Sequence, residues 1–178
     1  YDALGRLTLD EVDDAYAVLL PRYGFLRLVD MFELACQRGI EAVSDAPPEL
    51  ARFLAAMEHT PSWLDGKLAA RGARAGRVSM AKFTPFVIRG AFLATFTNKY
   101  AGHPMALTGA LAHGSSVQRV KETASFFTTA TLPGALDRFG PGFRAAAMVR
   151  LMHSMVRVSL LRKESRWDVS VYGIPIPQ

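Results

Sequence analysis

Apolar residues recur at three- and four-residue intervals along most of the chain, and Gly and Pro cut that pattern into helix-length pieces. In the first piece Val12, Ala15, Tyr16 and Leu19 share one helical face. Thr8-Leu9-Asp10-Glu11 offers a capping pattern ahead of it, and Pro21 is expected to end the helix near Leu20. Gly24 sets off a second helix over 25–38, with Leu26, Val29, Phe32 and Cys36 at helical spacing before Gly39. A third begins at Pro47-Pro48, turns Leu50, Phe53, Leu54 and Met57 inward and ends near His59-Thr60-Pro61. His59 there reads as a helix C-terminal residue facing the dipole.

The next stretch, 67–77, is KLAARGARAGR, basic and interrupted by glycine. It reads as a solvated linker or broken helix, with a patch for acidic groups such as lipid heads as the alternative. Residues 80–100 form a long apolar helical run in which Phe83, Phe86, Phe92 and Phe96 make an aromatic side and Pro85 and Gly90 predict a kink. Its rings suit plain core or an apolar substrate channel. His103, between Gly102 and Pro104, reads as a loop residue, and His113 as a helix end. Ser115 with Gln118 resembles a capping box, opening a helix that stops at Pro133-Gly134. Arg119 and Thr123 share a face of it, with Phe126 and Phe127 one turn on. Taken alone, those residues predict an exposed Arg119 and a Thr123 bonded back to its own helix.

The strongest helix covers 145–162, after a sharp turn at Gly140-Pro141-Gly142, where Asp137 could pair with a neighbouring arginine. Apolar residues occupy nearly every direction around it, the pattern of a helix buried in a core. Arg150, His153 and Arg157 interrupt them at i, i+3 and i+7, within roughly 60° of arc, with Ser154 at the edge. Such a buried stripe is costly unless something anionic or metallic meets it. It is either a structural network of paired arginines or a metal or cofactor ligand flanked by cations. After Arg162 the chain is polar and then extended, with Trp167 as a packing anchor and Pro175 and Pro177 excluding helix.

The periodicity predicts an all-α fold, and 178 residues suit one domain. The opening on Tyr1 and the close at Gln178 suggest an excerpt of a longer chain. The net charge of +5 is spread along amphipathic helices with no nucleic-acid fold signature, so no nucleic-acid partner is expected. Cys36 is the one cysteine, which excludes an internal disulfide, and it reads as a buried inert thiol. The most apolar window, 85–96, carries Arg89 and is too short to span a bilayer, so membrane association has no support from a spanning segment. A soluble segment, cytoplasmic rather than secreted, is the expectation. No Ser-His-Asp order, carboxylate pair or metal-spaced Cys and His set points to a hydrolase or zinc enzyme.

Several segments share a further feature. RLMHSMVR around His153 closely resembles the Arg-x-x-His-x-x-x-Arg signature of the family of rubber oxygenase (latex clearing protein) and the fungal MpaB-type oxygenases. Arg119 and Thr123 in QRVKETASFF resemble its Arg-x-x-x-Thr element, and RWDVSVYGIPIPQ resembles its Trp-Asp and Gly-x-Pro-x-x-Gln segment. PSWLD at 61–65 and LTGAL at 107–111 also look like family positions. The resemblance implies a globin-like helical bundle around a haem pocket. The first two helices read as an N-terminal hairpin, 1–45, packed against the rest, which leaves 46–178 as the haem-pocket core that the resemblance implies. The resemblance also implies haem b, with His153 as proximal iron ligand and Arg150, Arg157 and Arg119 holding the cofactor. Arg119, Thr123 and Arg150 would be catalytic. The implied reaction activates dioxygen to oxidise or cleave C=C bonds of an apolar, small or polymeric, isoprenoid-like substrate. Some rubber oxygenases carry a lysine beside the threonine, whereas here Glu122 is the neighbour and Lys121 lies one residue back. Two rival functions are a haem carrier or sensor without turnover and a cofactor-free helical interaction domain.

Overall fold

A computed structural model describes residues 9–78, 90, 94, 99–108, 116–162 and 167–172. Among the described residues there are α-helices and a 3-10 turn and no strand, so the chain is all-α. In order they are α1 (Leu9–Tyr23), α2 (Phe25–Arg38), the 3-10 turn Ile40–Ala42, α3 (Pro48–Glu58) and α4 (Gly66–Val78). Then come α5 (Lys99–Thr108), α6 (Ser116–Ala130), α7 (Pro141–Leu161) and the one-turn α8 (Val169–Tyr172).

Helix α7 is the axis of the molecule: α1, α2, α5 and α6 all rest on it, and α3 packs on α1 and α2. The core formed on one side of it contains Leu19, Leu28, Phe32, Cys36, Leu50, Phe53 and Leu54 against Phe143, Ala147 and Leu151. Phe32 and Phe53 meet at its centre with ring centroids 5.2 Å apart and planes tilted by 56°, within the offset geometry that aromatic quadrupoles favour. The start of α7 is fixed by its loop. The Phe143 N–H donates to Ala135 O at 2.8 Å, and a Cβ on Gly142 would lie 2.9 Å from that same oxygen. A side chain has no room there. Arg138 Nε ties this loop to α3 through Glu58 Oε1 at 2.8 Å.

Several expectations need correction. Helix α1 runs through Pro21 to Tyr23. Proline gives up its own N–H and crowds the carbonyl one turn back, a local cost that the helix carries in its last turn, and the chain turns instead at Gly24, whose φ of 76° suits glycine. In α2 the inward residues are Leu28, Met31, Phe32, Ala35 and Cys36, and Leu26 is exposed. The 67–77 stretch is an unbroken helix despite Gly72 and Gly76. Asp65 caps it, its Oδ1 accepting from the N–H groups of Lys67 (2.9 Å) and Leu68 (3.0 Å). His103 is helical, inside α5 with Pro104 beside it. Residues 169–172, expected to be non-helical, form a helical turn capped by Asp168, whose Oδ1 accepts from Ser170 N–H at 2.8 Å.

The capping pattern at Thr8, the phenylalanines of 80–98, LTGAL after Thr108, His113, Ser115 and the prolines near the C-terminus lie outside the described residues. Of the 80–100 run, Gly90, Ala94 and the residues from Lys99 are described, all helical.

Candidate functional site

The surroundings of α7 differ sharply from one side to the other. Gly142, Phe143, Ala147, Leu151, Ser154, Arg157, Val158 and Leu160 are buried, but Met152 is 40% exposed. The helix is therefore not buried all round, contrary to the expectation from its composition. Successive residues are about 100° apart, so Phe143, Ala147, Leu151, Ser154 and Val158 mark one side and Ala145, Val149, Met152 and Val156 the other, with Leu160 buried only near the helix end. His153 falls on the border between them.

The open side of α7 and the facing side of α6 enclose a groove of about 1000 Å³. From α6 it is lined by Arg119, Lys121, Glu122, Thr123, Phe126 and Phe127, among others; from α7 by Met148, Val149, Met152, His153, Met155 and Val156. Most of its lining surface is apolar. A smaller cavity of about 310 Å³ between α2 and the start of α7 is lined by Cys36 and Arg144. Burial pushes the Cys36 thiol up to about 12 there, with Arg144 opposing, so it stays protonated and is no nucleophile.

Arg119, Thr123 and His153 thus come together on the walls of one groove. Arg150 and Arg157 turn elsewhere. Arg150 Nη1 donates to the Met57 sulfur on α3 at 3.3 Å, and Arg157 is fully buried with partners of its own. Arg119 is half exposed and paired with Glu122 at 3.5 Å, while Gln118 Nε2 donates to the other oxygen of Glu122 at 3.0 Å. Thr123 stands exposed on the groove wall, and the hydroxyls bonded back to the helix belong to Thr128 and Thr131. Exposure of Arg119 therefore matches the plain reading of its sequence.

The electrostatics single out His153. Burial first, and then the cations Arg157, Arg119 and Arg150, push its pKa below the ordinary histidine value. At neutral pH it is a neutral imidazole with a lone pair. Among the described residues no three His, Cys, Asp or Glu side chains gather to hold a metal ion.

Sequence reasoning missed the trio Met148, Met152 and Met155 as groove residues. Their i, i+4, i+7 spacing showed a common side of the helix, but nothing in it distinguishes a wall from a core. It also missed Arg138, whose bond to Glu58 joins residues eighty positions apart. Trp167, by contrast, is 3% exposed, an anchor as expected. It forms an aromatic cluster with His103 and Tyr172, the latter two stacked at 4.3 Å.

Fold and site together define an all-α domain with an apolar groove along one side of its central helix and an uncharged histidine at the groove's edge. The model of the family described as ER-bound oxygenase mpaB/B'/Rubber oxygenase, catalytic domain, matches residues 76–171, more than half of the chain. The chain belongs to that family, and its class of activity is that of an oxygenase. No curated protein and no solved structure matches it individually. The matched stretch contains α5, α6, α7 and most of α8, and so the whole groove, whereas α1, α2 and α3 precede it.

Proposed function

We propose that this domain is a haem b-dependent oxygenase whose cofactor lies in the groove between α6 and α7, with His153 as the iron's protein ligand and an apolar, unsaturated, isoprenoid-like molecule as substrate. The observation that carries this reading is the position of His153: an imidazole kept neutral by burial and three cations, on the wall of an apolar groove of about 1000 Å³. The residues fit the group. The size lies at the top of the usual range for cofactor pockets, about 300–1,000 Å³. The larger, apolar part of the lining surface comes from methionine, valine and phenylalanine, suited to a flat apolar ring. Arg119 and Lys121 on the opposite wall offer positive charge to carboxylate side groups.

When bound, haem supplies the iron chemistry that activates dioxygen. The protein's own residues have narrower tasks. Burial keeps the proton off His153, so that its lone pair is available. Phe126, Phe127 and Met152 offer an apolar bed that orients a hydrocarbon chain and excludes water from it. Thr123 brings a hydroxyl to the same wall, and Arg119 places a guanidinium where negative charge would be stabilised. Arg157, buried, and Arg150, on Met57, keep α7 in register and add to the positive field at His153.

The anchoring of those two arginines also supports a second reading, a cofactor-free helical domain in which the stripe is a structural network. One experiment separates the two. Protein expressed with haem supply should show a strong visible haem band that collapses or shifts in His153→Ala, and should consume oxygen with an unsaturated isoprenoid. Absence of any haem band after reconstitution would sink the oxygenase mechanism in favour of the network. A normal band without oxygen uptake would leave a haem carrier or sensor.

A further inference from the structure

We propose that α4 is a docking surface for an anionic lipid bilayer, separate from the groove. The helix carries Lys67, Arg71, Arg74 and Arg77 and no acidic residue. At about 100° per residue these four fall within an arc of roughly 120°, so one side of the helix is a strip of cations. None of its residues is buried, and none lines the groove.

Apolar side chains stand exposed beside that strip. Trp63 is 63% exposed and Leu64 43%, in the turn ahead of the helix, and Leu68 is 60% exposed in its first turn. Val78, at the far end and within the arc of the strip itself, is 81% exposed. Large apolar groups left in water next to a cationic strip are unfavourable for a helix facing solvent alone, but they are the composition of a helix lying in a membrane interface. There the cations meet lipid phosphates and carboxylates, the aliphatic groups enter the acyl boundary, and tryptophan sits at headgroup depth. Duplex nucleic acid would satisfy the cations but gives Leu64, Leu68 and Val78 nothing to enter, and this favours lipid as the occupant. Helix α4 has 13 residues and four cations, too short and too charged to cross a bilayer, so attachment through it is peripheral.

The test uses the full chain and vesicles of phosphatidylcholine with and without phosphatidylserine. The two tryptophans make it selective: Trp167 is buried and Trp63 exposed, so a blue shift of emission on binding reports Trp63. Co-sedimentation should rise by about tenfold or more with phosphatidylserine present and fall with added salt, since each cation contributes severalfold near an anionic surface. The triple variant Lys67→Glu, Arg71→Glu, Arg74→Glu should lose that gain while keeping its helical circular dichroism, because α4 buries nothing. Trp63→Phe should abolish the blue shift. Equal binding to both vesicle types, no binding to either, or full binding by the triple variant would overturn the proposal. Tighter retention on duplex DNA than on the anionic vesicles, with Trp63 emission unchanged, would overturn it in favour of a nucleic-acid surface.

Discussion

The two sides of α7 are built from similar apolar residues and do opposite things. On one side Phe143, Ala147 and Leu151 lock into side chains from α1, α2 and α3 and are almost entirely withdrawn from water. On the other, Val149, Met152 and Val156 face a groove closed from across by the largely exposed α6. The partners differ in origin too. Most of the core comes from residues before the family match, and the groove lies within it. Stability and, on the proposed function, chemistry are therefore divided between the two sides of one helix, with His153 at the border. A helix anchored this firmly on one side can leave the other open without losing its position.

The largest effect expected from breaking this division is at Arg157, the biggest fully buried side chain among the described residues. Arg157→Ala removes a buried cation, strands its partners and leaves a void, at a cost of about 3–5 kcal/mol. Arg157→Met, which keeps the volume, should recover part of the loss. Denaturant melts of both variants check this, and if Arg157→Ala were neutral, Arg157 would not belong to the structural side.

A neighbouring pair compares the two sides one residue apart. Leu151→Ala should cost about 2–5 kcal/mol, because it empties a closed site between α7 and the N-terminal helices. Met152→Ala should cost under about 1 kcal/mol, because its side chain already meets water. The same two variants should reverse in a binding assay, with Met152→Ala changing uptake of an apolar probe and Leu151→Ala, where folded, leaving it intact. Equal destabilisation by both would mean that the groove side is packed as tightly as the core.

The helices themselves were legible because Gly and Pro punctuate a clear 3.6-residue period; α2 and α3 follow from it directly. What the sequence hid was which apolar direction is core. Leu26 and Met152 carry the same hydrophobic signal as Leu28 and Leu151, and only the arrangement of distant helices separates them. The helical state of His103 was obscured by the neighbouring Gly102 and Pro104, local breakers that do not prevent α5 from forming where His103 stacks on Tyr172 and lies tilted against Trp167. For the site, spacing put Arg150, His153 and Arg157 on one stripe, but spacing cannot show that a stripe straddles a border. In the structure the histidine faces the groove while one arginine reaches Met57 and the other is buried. Arg119 and Thr123 reach the same groove from a different helix, a juxtaposition suggested by the family resemblance and not by local pattern.

The smallest effect is the sharpest probe of the border. His153 has its pKa lowered in the folded protein, by burial first and then by Arg157, Arg119 and Arg150. The unfolded chain therefore takes up this proton at a higher pH than the folded one. The linked stability is fully present above the ordinary histidine value and is lost as pH falls from there toward the folded pKa. Arg119 is the one of these three cations that lines the groove wall. Arg119→Gln should change stability at neutral pH by no more than about 1 kcal/mol, since its ion pair with Glu122 is half exposed. It should nevertheless raise the titration of His153 toward the ordinary value, so that acid loss begins at the same pH but ends sooner. Proton NMR follows this directly, with His153→Gln identifying the resonance among the four histidines. A His153 titration indifferent to Arg119→Gln would mean that α6 does not hold that charge over the imidazole, and the opposite wall of the groove would then need a different account. A titration that moves while the melting curve at neutral pH stays put would show the open side of α7 tuning its histidine independently of the core that holds the helix in place.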